Sequence, residues 1–482
     1  MTRTARPRLD AGSLPRADAG HRPSYDLGAV RVGIVHLGFG AFHRAHQAVA
    51  FDRMLERFPD QPWGVCAVAN TNAALVRAAR EQDHLFAVAT VGTDPAAEPE
   101  VRVVGSIRES LLASEAAEAV VARLAAPQIH TITLTITERG YAPPPGAPAD
   151  SLLGLLALAL DRRRAAGLPV TVLSCDNLVD NGTVLRAALL DLVERQPGAF
   201  SAGLPAWLGA QARFPRSVVD RIVPKQTAAD RDRISGLLGL DDALGLVAEE
   251  TFHWTIEADE AMAAGTAWAD GGVVFSPEID RVQQLKLQLL NATHSLLAYA
   301  GLALGIERVS DAARHPDVAA LAARFLATEA LPSVVAPAGT DPAAYADSVR
   351  ARFASPLLPD TTARVATDGS QKLPQRLTAT LLACRESGRR PRVSATVLAL
   401  WMHLRTARPD AFSDENARDL RIDAATPDTL RASVSAALAD VVHLPAPVAT
   451  DPELVGAVTH ALTALLRGDP PGTLIAATAA GA

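Results

Sequence analysis

The stretch Val32-Gly33-Ile34-Val35-His36-Leu37-Gly38-Phe39-Gly40-Ala41-Phe42-His43-Arg44-Ala45-His46-Gln47 passes from a short apolar run into a glycine turn. A helical pattern follows it through Leu55. Strand, glycine turn and helix in that order place backbone N–H groups at a helix N-terminus, where a dinucleotide pyrophosphate can sit. Two of the three glycines of the usual dinucleotide fingerprint are present, at Gly38 and Gly40, and His43 stands in the third place. A second apolar run, Val65–Ala69, ends in Asn70-Thr71-Asn72. An acidic residue near this point would hold the adenosine ribose hydroxyls, and none is there. Arg77 and Arg80 follow, but neither is placed clearly enough to argue for a 2′-phosphate. NAD is therefore the default coenzyme, with NADP open.

Working outward, Phe86–Val91, Val101–Ile107, His130–Ile136 and Val170–Ser174 continue the strand pattern, with helical patterns at Ser114–Leu124 and Ser151–Ala166. This alternation predicts an α/β, doubly wound domain with an inserted antiparallel pair around residues 86–107. Ligands in open α/β sheets bind beyond the carboxyl ends of strands. Two polar clusters stand there, Thr137-Glu138-Arg139-Gly140-Tyr141 and Ser174-Cys175-Asp176-Asn177. Asn181, before a helical pattern, reads as a cap, and Asp220-Arg221 as a local ion pair. From Glu278 the texture changes to helical patterns over 280–304, 309–331, 342–354, 373–387, 393–407, 427–443 and 452–467. The expected organisation is an N-terminal arm over 1–27, a coenzyme-binding domain over 28–276 and a mostly α-helical domain over 277–482.

A chain of 482 residues exceeds one ordinary core, so two domains are expected. A formal charge of −7 without like-charge blocks gives no electrostatic reason to expect nucleic acid. Cys66, Cys175 and Cys384 are scattered and odd in number, which implies neither a disulfide framework nor a zinc site and fits a reducing cytoplasm. The longest apolar run, Leu152–Leu160, is too short to span a bilayer. The first 27 residues have no apolar core, so they read as a loose or draped arm and not a secretory signal.

In the second domain, Leu285, Leu289, Ala292, Leu296 and Leu297 recur at helical spacing and form an apolar stripe. Lys286, Asn291 and His294 lie off it. At about 100° per residue, His294 sits roughly 80° and Asn291 roughly 140° around from Lys286. A proton-carrying amine, an amide donor and an imidazole thus share one half of a helix. Asp368-Gly369-Ser370-Gln371-Lys372-Leu373-Pro374-Gln375-Arg376 reads as a polar loop before a helix, and Lys372 and Arg376 can pair with a substrate carboxylate.

Together with Val219-Asp220-Arg221-Ile222-Val223-Pro224, these motifs resemble the mannitol dehydrogenase family, the polyol-specific long-chain dehydrogenase/reductases. The resemblance runs from about Val30 through the second domain. The stretch Tyr345-Ala346-Asp347, Arg352-Phe353 and Asp368–Arg376 looks most like the fructuronate reductases, also called D-mannonate oxidoreductases. The mannitol 2-dehydrogenases are the near alternative, and Thr251–Glu257, which departs from the pattern of relatives, leaves the substrate subtype open.

The resemblance implies a Rossmann-like first domain, a helical second domain and metal-independent hydride exchange between a nicotinamide and an open-chain sugar acid or polyol. Lys286 would be the general acid/base, with Asn291 and Asn177 donating to the nascent alkoxide and His294 gripping an adjacent hydroxyl. Asp220 would bind substrate hydroxyls, and Lys372 and Arg376 the carboxylate. Gly38, Phe39, Gly40, Ala41, Phe42 and Arg44 would line the coenzyme, with Thr137 and Glu138 near the nicotinamide. An exposed lysine, with a pKa of about 10.4, is a poor base at neutral pH, so partial burial of Lys286 is expected. An inactive coenzyme-binding sensor is the reading from another class. The oligomeric state is left open.

Overall fold

The computed structural model describes residues 6–94, 96–258, 267–357 and 360–481. These divide into two compact units, Met1–Gly92 with Ala96–Ile279, and Asp280–Ala482 with Thr93–Pro95.

The first unit is built on six parallel strands: β1 (Val32–Leu37), β2 (Gly64–Ala69), β5 (Ile107–Leu112), β6 (Thr131–Leu134), β7 (Val170–Ser174) and β8 (Ala212–Arg213). Their order is β5-β2-β1-β6-β7-β8, so the sheet is doubly wound about β1. Strands covered on both faces read as unbroken apolar runs, and successive residues feed opposite faces. Ile34, Val65, Ala67 and Ala69 enter one core with helix 47–57 and the Trp63, Trp254 and Trp268 rings. Val35, Leu37, Cys66 and Val68 enter the other, with helices 117–125, 152–165 and 181–195.

β3 (Phe86–Val91) pairs antiparallel with β4 (Glu100–Val104), as expected, but β10 (Leu246–Glu249) joins β3 in parallel to complete a separate sheet. The run read as one strand through Ile107 divides. At Gly105 a Cβ would lie 2.5 Å from Leu27 and 2.9 Å from the Tyr25 hydroxyl, and the chain turns there so that Ile107 opens β5 on the main sheet. A third sheet joins β9 (Ser217–Asp220), β11 (His253–Glu257) and β12 (Val273–Ser276). The arm is draped: Leu9 donates to the Asp241 carbonyl at 2.8 Å, and Leu9 and Leu14 pack with Leu85, Val103, Ile234 and Leu238.

The second unit is helical. One continuous helix runs from Ile279 to Ala303, and residues 286–291 within it take a π-helical turn. Its inner face packs on helices 362–366 and 392–407. The single helix expected over 309–331 is broken at His315, whose backbone is extended before Pro316, because the proline ring disfavours helical geometry in the residue before it. The polar stretch 368–376 is not a loop. Helix 369–386 begins at Gly369 and carries Pro374 within it. Among the described residues no helix is long and apolar enough to cross a membrane.

Candidate active site

In the first unit, the candidate residues gather at the carboxyl ends of β1, β6 and β7, which lie side by side. Gly38 has φ +107°, and a Cβ there would stand 2.1 Å from the Thr135 carbonyl, so only glycine lets β1 and β6 close at this point. Gly40 is different: the nearest atom to its Cβ position is the Gly38 carbonyl at 3.7 Å, leaving the space over the turn unfilled. Ala41 and Phe42 open the helix that follows, and Phe39 is buried beneath.

His36 stabilises this turn from below. Its Nε2–H donates to the Gly38 carbonyl at 3.1 Å, and Nδ1 accepts from the Thr133 hydroxyl at 2.7 Å. His43, in the place of the third glycine, stacks on it with ring centroids 3.4 Å apart. Burial lowers the pKa of His36 to about 3 and also lowers that of His43, so the stacked pair is neutral. Arg44 points inward, donating to the Leu244 carbonyl at 2.5 Å and lying over the Phe39 and Phe86 rings. Burial lowers its pKa to about 10.

Thr137 has φ +61°, and Thr137 and Glu138 are exposed. The Asp176 carboxylate fixes this turn by accepting from the N–H groups of Ile136 (3.0 Å) and Thr137 (2.8 Å) and from the Tyr141 hydroxyl (2.8 Å). Burial raises its pKa from the ordinary carboxylate value. Asn177, next in sequence, is exposed at the same strand end. Asn181 is not a cap. It is buried, its amide donates to the Ser174 and Ser217 carbonyls at 3.1 and 2.9 Å, and its oxygen accepts from the Ser217 N–H at 2.9 Å. It thereby ties the end of β7 to β9, the strand that ends in Asp220.

Asp220 is buried, and the ion pair expected within Asp220-Arg221 is not what holds Arg221. That guanidinium donates to the carbonyls of Ala45 and Glu249 and to the Thr90 hydroxyl.

In the second unit, the π turn changes the geometry expected for an α-helix. The Ala292 N–H bonds the Leu287 carbonyl five residues back. Such a turn reduces the angle between residues i and i+5 from the roughly 140° of an α-helix, so it carries Asn291 towards the side of the helix that bears Lys286. Lys286 is half-buried and Asn291 is buried. His294 stacks on Phe353 with centroids 4.6 Å apart, and its Nε2 lies 3.9 Å from Asp360, beyond hydrogen-bonding distance. Burial, then the Arg376 charge, lowers its pKa to about 3, so the ring is neutral. Asp360 itself is held by Arg364, whose Nε donates at 2.6 Å.

Lys372 donates to the Thr367 carbonyl at 2.6 Å. Arg376 is buried, donating to the Asn291 carbonyl at 3.1 Å and to Ser295 Oγ at 2.7 Å. Asp176 stands in a polar cluster that the sequence marks past a strand end and Phe353 in a family motif, each without an assigned role, whereas nothing in residue spacing points to Asp360 or Arg364.

Residues 32–270 match the family model of the mannitol dehydrogenase Rossmann domain, and residues 278–466 that of the mannitol dehydrogenase C-terminal domain. The chain belongs to the mannitol dehydrogenase family. These are oxidoreductases. The chain is 35% identical to the D-mannonate oxidoreductase of Escherichia coli (strain K12) over 403 residues, 79% of this chain and 81% of that one. It is 32% identical to the mannitol 2-dehydrogenase of Pyrenophora tritici-repentis over 428 residues, 84% of this chain and 74% of that one. The structure superposes on Pseudomonas fluorescens mannitol 2-dehydrogenase, solved as a ternary complex with NAD and D-mannitol. The TM-score is 0.85 at 29% identity, covering 98% of this chain and all of the other.

Proposed function

We propose that this family member is an NAD(P)-dependent secondary-alcohol dehydrogenase that interconverts a keto-sugar acid and its aldonate, D-fructuronate and D-mannonate in the first instance. The observation that carries the reading is the π turn over residues 286–291, which carries Asn291 towards the side of Lys286 on a helix that also holds a neutral imidazole at His294. A solvated surface helix has no use for that arrangement.

The first unit fits a dinucleotide. The open space over Gly40 leaves room for a pyrophosphate against the backbone N–H groups at the start of the following helix. Gly38, Phe39, Gly40, Ala41 and Phe42 would hold it, with Thr137 and Glu138 beside the nicotinamide. A bound nicotinamide would supply or accept the hydride at the sugar carbonyl carbon. NAD is the default, and NADP stays open because Asn70-Thr71-Asn72 after β2 offers no carboxylate to the ribose hydroxyls.

Lys286 gives its proton to the oxygen that becomes an alkoxide during reduction and takes it back during oxidation. Asn291 donates an N–H to that oxygen, and one fixed donor of this kind contributes roughly 3 kcal/mol to the transition state. His294, uncharged, bonds a neighbouring hydroxyl. Lys372 supplies the positive charge for the carboxylate end of a sugar acid.

The mannitol 2-dehydrogenase reading is supported by a relative of that name at nearly the same identity. The test is coenzyme oxidation, followed by absorbance, with fructuronate, tagaturonate and fructose, each with NADH and with NADPH. Turnover of fructuronate supports the first reading and of fructose the second. No turnover with any sugar favours a coenzyme-binding sensor.

A further inference from the structure

We propose that Arg376 is a positioning residue that clamps the π-helical turn of helix 279–303 through the Asn291 carbonyl and Ser295 Oγ, and so holds Asn291 towards the side of the helix that bears Lys286. The inference deepens the reading above and rests on it. It also differs from the substrate-carboxylate role that the sequence suggested for this arginine.

A π turn inserts one residue into an α-helix and disturbs its hydrogen-bond ladder, so it persists where surrounding contacts favour it. Two contacts from helix 369–386 bracket this one. Thr380 Oγ1 donates to Gln288 Oε1 at 3.3 Å inside the turn. One helical turn away, Arg376 Nη1 donates to the Asn291 carbonyl at 3.1 Å and to Ser295 Oγ at 2.7 Å, where the turn returns to α geometry.

The clamp has a fixed base. Asp414 accepts from the Ser370 N–H at 2.8 Å, the Ser370 hydroxyl at 2.5 Å and the Trp401 indole N–H at 3.2 Å, which anchors the start of helix 369–386. A guanidinium suits the task because it is planar, permanently charged and able to donate in several fixed directions. Without the clamp, relaxation to α geometry would swing Asn291 to roughly 140° from Lys286. The two groups could then no longer address one substrate oxygen.

The test uses Arg376→Met in the full chain, with two independent readouts. Amide hydrogen exchange of the segment 287–295 should quicken about tenfold while the remainder of helix 369–386 keeps its protection. Turnover should fall about 100-fold, the scale of an ångström misplacement, with KM changed less than about threefold for acidic and neutral sugars alike. Unchanged exchange together with a raised KM for sugar acids alone would overturn the clamp and return Arg376 to the carboxylate. If Arg376→Met does not fold, Ser295→Ala, which removes one of the two bonds, must give both changes at smaller size. No change in either overturns the proposal. Should the wild-type chain oxidise and reduce no sugar, the functional reading fails while the exchange measurement still decides the clamp.

Discussion

Phe353 stacks on His294 with ring centroids 4.6 Å apart and planes 26° from parallel, which shields one face of the imidazole from water. With its pKa lowered to about 3, His294 stays neutral across the working range, and loss of activity through its protonation begins only as pH falls towards 3. A plot of log(kcat/KM) against pH should therefore show no inflection near 6.5 from this ring. Phe353→Ala admits water and lets the pKa rise, so an acidic limb should appear nearer 6.5, with NMR titration of His294 as the direct check.

Lys286→Ala should lower turnover by about 10²–10⁴-fold, the usual contribution of a positioned acid/base, while coenzyme affinity is retained. Steady-state rates with the preferred sugar and a fluorescence titration with NADH measure the two quantities. Near-normal turnover removes Lys286 from the chemistry.

Gly38→Ala and Gly40→Ala should separate folding from binding. The first meets the Thr135 carbonyl at 2.1 Å in a left-handed conformation and should cost more than about 2 kcal/mol, seen as a lowered urea midpoint. The second meets no atom closer than 3.7 Å, so stability should hold while NADH binding weakens about tenfold or more, because the methyl occupies the space left for the phosphate. Equal effects in both assays would reject the distinction.

Asn181→Asp keeps a capping oxygen but sets a carboxylate against the Ser174 and Ser217 carbonyls, which need a donor. Chemical denaturation should show a loss of about 3 kcal/mol or more. A cap role would leave the variant as stable as the parent.

His36 and His46 are buried with pKa values near 3, against an unfolded value of 6.5. Between those values the unfolded chain binds more protons than the folded one, so each ring makes stability fall as pH falls. The slope is up to about 1.4 kcal/mol per pH unit per ring. His46 Nε2–H donates to the His253 carbonyl at 2.9 Å, a bond that an amide can replace. Urea midpoints from pH 7 to 4 should therefore decline less steeply in His46→Gln. Parallel curves would show that this imidazole is not titrating on unfolding.

Strands β1, β2, β6 and β7 are legible because they are short runs rich in apolar and β-branched residues, whereas β5 carries Arg108 and Glu109 and β8 is two residues long, so neither reads as a strand. The helix 279–303 was equally legible from its stripe of leucines. Two local readings fail for one reason. Asn181 as a cap and Asp220-Arg221 as an ion pair take partners close in sequence, whereas Asn181 bonds Ser217 and Arg221 bonds Ala45 and Glu249. A buried polar group takes whatever partner the packed chain brings to it, and sequence distance carries little information about that choice.

By itself, the sequence determined the doubly wound unit, the helical unit and the candidate residues of the site, because hydrophobic period, glycine placement and residue type are local properties. The tertiary structure alone decided which groups face one another. The π turn over residues 286–291, the stacking of Phe353 on His294 and the hold of Arg376 on the Asn291 carbonyl are visible only once the chain is packed, because the last two join residues distant in sequence.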